Sequence, residues 1–311
     1  ITVNAICEDK MREVSWIGTD AGLYCYGAKG FEQNKITEFL KDVRIRHVGM
    51  TNDNELLIST YTDLSQVRVT SDNKITVWTI EDGLASLKNR VAIKTSAGDY
   101  YFGTTAGLSI LDHATGKITS IKKEQGLDNE FIMALYEDSR GRIWVGTDGG
   151  GVYVLEDKKI IKNYTTTEGL SGNIIFKISK GDGKEIWITT GTGISKYLEE
   201  TDTFFNYNSS NGLGTDGVFQ AISDYTQTIW MTSNKGIIST TLDSLNSVEK
   251  GLRNQVTVKT YGASDGLTTG GVTSTSVSMQ DSKGRLWFTL IDGFAIYDPI
   301  RTAKNQIIPK I

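Results

Sequence analysis

One short phrase returns along the 311-residue chain and limits what the chain can fold into. It reads Trp16-Ile-Gly-Thr-Asp-Ala-Gly22-Leu23, then Trp144-Val-Gly-Thr-Asp-Gly-Gly150. Looser copies begin at Trp187, Trp230 and Trp287. Tyr101 opens a copy without the tryptophan, and Leu57 opens one that lacks both tryptophan and glycine. The seven anchors are spaced 41, 44, 43, 43, 43 and 57 residues apart. A fixed period of this length marks an array of equivalent supersecondary units.

A second phrase keeps the same beat. Gly-Leu pairs end at Leu84, Leu127, Leu170, Leu213 and Leu267, with the first four 43 residues apart. The long last interval has a visible cause, because Asp243–Asn254 reads as an insertion in the sixth unit. Each unit parses into four short strands. In the fourth unit these are Phe131–Glu137, Arg142–Gly146, Gly151–Leu155 and Ile160–Thr165, with Gly, Asp or Asn at their ends. No stretch carries a helical period beyond a turn or two. Seven four-stranded antiparallel units predict an all-β fold, a seven-bladed β-propeller over residues 1–299. The repeated tryptophan is expected to wedge between neighbouring blades, and one such burial is worth roughly 4–6 kcal/mol gross. A sugar-stacking platform is the alternative use of these indoles. The seventh unit has no obvious outer strand. Either Gln306–Ile311 supplies it or residues upstream of Ile1 do, so the chain reads as a piece of something longer.

Composition excludes several functions. Lys+Arg 33 against Asp+Glu 37 gives a net charge of −4, without the basic surplus of a nucleic-acid binder. No apolar run reaches the roughly 20 residues of a membrane helix. Two histidines and two cysteines make a zinc cage or disulfide scaffold an unsuitable reading, and no metal or cofactor is expected. Cys7 and Cys25 fall on the first and third strands of one blade, with the second strand between them, which keeps a disulfide from forming. His47 and His113 stand alone, without the neighbours a general base needs.

The phrases Val3–Asp9 with Trp16–Leu23, Phe131–Asp138 with Gly141–Val152, and Ser278–Asp281 with Gly284–Phe294 resemble the two-component regulator propeller repeat. The resemblance covers residues 1 to about 309 and is weakest in the second unit. It implies an extracytoplasmic, periplasmic sensor propeller of a hybrid two-component histidine kinase that detects a glycan. It further implies a neighbouring propeller, a following β-sandwich toward which residues 300–311 would lead, a homodimeric receptor, and membrane attachment only through downstream segments. The kinase activity would lie outside this chain. The turns at Asp138-Ser-Arg-Gly-Arg142 and Asp281-Ser-Lys-Gly-Arg285 are similar to sialidase Asp-boxes with one residue too many, and read as structural turns.

In such a ring, the loops joining strands two and three share a face with the loops that enter each blade. Candidate ligand residues on that face are Asp20, Tyr61, Asp63, Asp148, Asn234, Lys235 and Asp292 from the first set, with Arg90 and Asn173 from the second. The blade-entry stretch Thr268–Gly270 belongs to the same ring of loops. Asp, Asn and Thr can hydrogen-bond saccharide hydroxyls. The same groups can tie up turn backbone instead, or face another domain or subunit. No catalytic residue is assigned. The competing functions are a glycan lyase or hydrolase and a pure scaffold.

Overall fold

The computed structural model describes residues 1–181, 185–267, 271–274 and 277–299. The chain forms seven antiparallel sheets, each built from strands consecutive in sequence. Six have four strands, and the seventh has three among the described residues: Met279–Gln280, Leu286–Leu290 and Gly293–Tyr297. The protein is a seven-bladed β-propeller. In the fourth blade the strands run Ile132–Glu137, Ile143–Thr147, Val152–Glu156 and Lys159–Tyr164, within a residue of the predicted bounds. Residues 300–311, expected to lead out of the propeller or to close it, lie outside the described residues, as do Thr268–Gly270.

The repeated tryptophan is packing. Trp16, Trp144 and Trp287 are at most 1% exposed, and Trp187 and Trp230 are buried too. Trp144 of the fourth blade lies among Ile175, Ile178, Ile186 and Tyr197 of the fifth, with its ring 4.8 Å from that of Tyr197. An indole N–H must find an acceptor when buried. Here it donates to the acid of the preceding turn: Trp16 to Asp9 at 3.0 Å, Trp144 to Asp138 at 2.9 Å, Trp230 to Asp224 at 2.8 Å and Trp287 to Asp281 at 2.9 Å. The turn acid and the tryptophan form one unit, so the Asp-box-like turns are indeed structural.

Where the second unit departs from the pattern, other residues fill the place. Leu57 occupies the anchor position, and Trp78 from the outer strand packs over Tyr100 and Phe102 of the third blade. The guanidinium of Arg68 stacks on Trp78 at 5.3 Å and pairs with buried Glu55 at 3.4 Å.

Innermost strands of successive blades neighbour one another around the axis. The ring closes between the seventh and first blades. Ala5 and Val277 form a parallel bridge, with the Ile6 N–H donating to the Val277 carbonyl at 3.0 Å. Trp287 packs there against Val3, Ile6 and Ile17. The sixth-unit insertion contains helix Leu242–Glu249, whose Leu242, Leu245 and Val248 bury against Met231 and Ile238. A short helix at Lys35–Phe39, capped by Asn34, was not legible as a helical period. Cys7 and Cys25 are both free thiols. The register places Trp16 between them, as expected, although Cys7 is only half-buried. Burial pushes the thiol of Cys25 up to about 11, with the charge of Glu32 acting in the same direction.

Candidate functional site

Five blade-entry loops share one device. A short 3-10 turn such as Lys123–Gln125 or Thr166–Glu168 ends on a left-handed glycine, with φ of 91° at Gly126 and 102° at Gly169. The leucine after it is buried at Leu84, Leu127, Leu170 and Leu213, fully so at Leu127 and Leu213, and half-buried at Leu267. The Gly-Leu phrase is therefore a stop followed by an anchor that drops the chain into the next inner strand.

The loops between second and third strands, which adjoin these entries, are tied by a buried hydroxyl. Thr19, Thr104, Thr147, Thr190 and Ser233 each donate to a carbonyl three or four residues on, at 2.8–3.1 Å. That hydroxyl is structural. The next residue points outward in several blades, leaving Asp20, Asp148 and Asn234 exposed on the loops.

Each inner strand of the first six blades carries a register slip just after its start. The extra, unpaired residue is Asn4, Arg46, Arg90, Met133, Phe176 or Phe219. A bulge re-aims one side chain without ending the strand. Six equivalent bulges therefore set a ring of side chains around the axis near the loop face. Asn4, Arg46 and Arg90, from the first three blades, are polar. Met133, Phe176 and Phe219, from the next three, are apolar, and the rings of Phe176 and Phe219 meet edge to face at 5.1 Å.

The nine sequence-derived candidates divide accordingly. Arg90 is not a loop residue but one of these bulges, and its Nη1 donates to the Tyr61 hydroxyl at 2.9 Å. The guanidiniums of Arg44 and Arg46 stand 5.6 and 5.3 Å from the centre of the same tyrosine ring. Asp20 joins this cluster, accepting from Asn4 Nδ2 at 2.9 Å and Arg44 Nε at 3.0 Å. Burial opposes its charge, but the bonds from Asn4 and Arg44 outweigh that and hold its carboxyl below the ordinary range. Arg46 is lowered by burial, with Arg90 pushing in the same direction.

The other candidates stand apart from this cluster. Asp63 and Asp148 are exposed. Asn173 is engaged by backbone: its Oδ1 accepts from Thr166 N–H at 2.8 Å, and its carbonyl accepts from Gly149 and Gly151. The Asn234 side chain accepts from Thr215, and Lys235 reaches the Gly214 carbonyl at 2.5 Å. Asp292 borders a cleft of about 990 Å³ at the seam of blades seven and one, whose lining includes Thr19 and Ala21 on either side of Asp20. Arg44, Arg46, Met133, Phe176 and Phe219 escaped sequence reasoning. Positions 46, 90, 133, 176 and 219 keep the 43–44-residue beat, but their residue type changes, so a search for recurring letters passes over them.

The histidines lie in different surroundings. His47 is buried beside the axial channel, and burial, with Lys177 adding to it, pushes its pKa down to about 3. His113 is exposed and bonds Asp99 at 3.1 Å. Among the described residues no three His, Cys, Asp or Glu side chains gather closely enough to share a metal ion. Nor is any helix among them long and apolar enough to cross a membrane.

The stretch that decides the family likeness runs from the Gly126 turn through the Asp138–Trp144 bond to the Thr147 loop. Residues 126–149 match the family model of the two component regulator propeller. In this chain the matched residues span one blade entry, two strands and the acid–indole bond between them. Among solved structures, the chain is similar to the extracellular domain of a hybrid two component system from B. thetaiotaomicron. That match has 22% identity and a TM-score of 0.79, covering 96% of this chain and 39% of that one. A second such extracellular domain from the same organism matches with 20% identity and a TM-score of 0.50, covering 96% of this chain and 41% of the other. Virginiamycin B lyase from Staphylococcus aureus shares the fold at 13% identity, TM-score 0.69, covering 95% and 93%. The chain thus spans well under half of the two-component structures it matches. No curated protein sequence matches it.

Proposed function

We propose that this propeller is a non-catalytic sensor module of an extracytoplasmic receptor in a hybrid two-component system, and that its loop face receives an oligosaccharide. The observation that carries the reading is the ring of six bulge side chains converging on one mouth of the axis. Such a ring draws one residue from each of six blades, so a ligand seated there touches most of the molecule at once. The likeness to two extracellular domains of hybrid two component systems, over 96% of this chain, supports the same placement. The repeat match at residues 126–149 points the same way. In the full-length receptor the propeller would adjoin a second propeller and a β-sandwich, and the receptor would pair as a homodimer. A sensor must bind ligand differently in its two signalling states, and a site shared by many blades can report a change in their relative positions.

The test is calorimetric titration of the protein with a panel of neutral and acidic oligosaccharides, alongside a reducing-end assay on the matching polysaccharides. Saturable binding without release of reducing ends is expected. Asp148→Ala should leave stability within about 0.5 kcal/mol. Reproducible cleavage, abolished by substituting one carboxylate, would replace the sensor with an enzyme.

A further inference from the structure

The third strand of the seventh blade, Gly293–Tyr297, is bare along one side. Among the described residues it pairs only with Leu286–Leu290. None of its residues is buried, and Ile296 is 41% exposed. The matching strand of the third blade, Gly107–Leu111, is buried at every residue, and Gly193–Leu198 of the fifth at all but the last. Each of those has an outer strand beside it, Ile118–Ile121 and Thr203–Tyr207. A sheet edge with free N–H and C=O groups is a template for one more strand.

A cleft lies on each side of that edge. Phe294 lines one of about 990 Å³ toward the first blade, and Tyr297 lines one of about 540 Å³ toward the sixth. The tryptophans register the same difference. Trp144 stacks on Tyr164 of its own outer strand, with ring planes 9° apart, whereas the stacked neighbour of Trp287 is Phe294 of the third strand, at 20°.

The larger cleft has the walls of a blade entry. Between blades four and five, the connecting segment lies between the loop of the blade it leaves and the third strand of the blade it joins. Gly149 and Gly151 N–H donate to the Asn173 carbonyl, and the Ser171 N–H donates to Ser195 Oγ at 2.9 Å. Ala85 makes the same bond to Ser109 of the third blade. In the cleft the corresponding walls are Asp292 and Gly293 on one side, and Leu23 and Tyr24 on the other. Entries to the second through sixth blades each bury an apolar anchor: Leu40, Leu84, Leu127, Leu170 and Leu213. Leu267 is half-buried at the seventh. At the first blade, Ile1 stands 67% exposed on the rim of the cleft.

We infer that the edge and the cleft together receive one segment of the longer chain, the residues that run into Ile1. That segment lays an outer strand along Gly293–Tyr297 and then makes a turn whose apolar anchor seats in the cleft. A segment returning from Tyr297 would meet the edge alone, whereas one entering at Ile1 must cross the cleft as well.

The experiment measures amide hydrogen exchange in the chain beginning at Ile1 and in the natural chain extended upstream by as many residues as run from 159 to 174. Extension should slow exchange across Gly293–Tyr297 and at Leu23 and Tyr24 by about tenfold or more. Gly107–Leu111, already paired on both sides, should exchange as before. If neither stretch slows, the inference falls. If Gly293–Tyr297 slows but Leu23 and Tyr24 do not, the added strand stands and the anchor falls. Cutting residues 300–311 from the chain beginning at Ile1 should change none of these rates. Faster exchange across Gly293–Tyr297 after that cut would show the edge covered from the C-terminal side, and would overturn the assignment. Rates that rise on dilution would show the edge pairing between copies, with the same result. None of these outcomes bears on the sensor reading, which the oligosaccharide titration tests separately.

Discussion

Asp138 receives four hydrogen bonds at one turn. Its Oδ1 accepts from the N–H groups of Arg140 and Arg142, and its Oδ2 from Arg142 Nε and Trp144 Nε1. Asp281 repeats the set with Lys283, Arg285 and Trp287. A buried carboxylate is tolerable when its lone pairs are filled, and this one in return fixes the indole that joins two blades. His47 is the opposite case. Its Nδ1 is buried and has no hydrogen-bond partner. Its folded-state pKa lies near 3 against an ordinary 6.5. Between those values the unfolded chain binds the proton and the folded chain does not, so stability falls as pH drops below about 6.5. Urea unfolding should therefore show about 1 kcal/mol of loss from pH 7 to pH 5.5 that His47→Gln lacks. Equal slopes in the two proteins would show that the imidazole titrates normally. The lowered carboxyls, Asp20 and Asp281, lose their contribution at lower pH, as each is protonated.

At the scale of the element, a blade is closed by its turns. Gly126 and Gly151 both have positive φ, 91° and 75°, but for different reasons. A Cβ at Gly126 would meet nothing nearer than Ile160 at 3.9 Å, so its glycine serves conformation alone. A Cβ at Gly151 would stand 2.1 Å from the Tyr164 carbonyl oxygen, so there the outer strand also needs the space. Gly126→Ala should cost about 1–2 kcal/mol. Gly151→Ala should cost roughly 3–4 kcal/mol, since backbone must move as well. Denaturant midpoints with unchanged slopes measure both, and equal losses would contradict the distinction. The strand bounds of the fourth blade were legible because apolar alternation and turn residues agree there. The bulges were not, because a register slip depends on the partner strand and leaves no mark in local composition.

Across the whole molecule, the chain's two ends meet at one seam. Six interfaces join blades consecutive in sequence, whereas the seventh joins residues some 280 apart, as in the Ser282 contacts to Glu8. Trp287 stands at that seam and Trp144 within the ring. Both alanine substitutions should cost about 3–5 kcal/mol. Trp287→Ala should also speed amide exchange at Ile6 and Val277, whose backbone bonds bridge the seam, by about tenfold or more. Trp144→Ala should leave those amides as they were. Matching exchange in the two variants would mean that the ring loosens as a unit and not at its closure.

The sequence by itself determined the number of blades, the period, and the roles of the tryptophan and Gly-Leu phrases, because each unit needs the same residues to bury the same faces. It also grouped Asp20, Tyr61 and Arg90 on one face of the expected ring. Only the tertiary structure decided that Arg90 and Tyr61 touch, that Arg46 joins them, and that Phe176 and Phe219 face them across the axis. Those residues lie on different blades, and closing a ring brings together positions that no short stretch of chain relates.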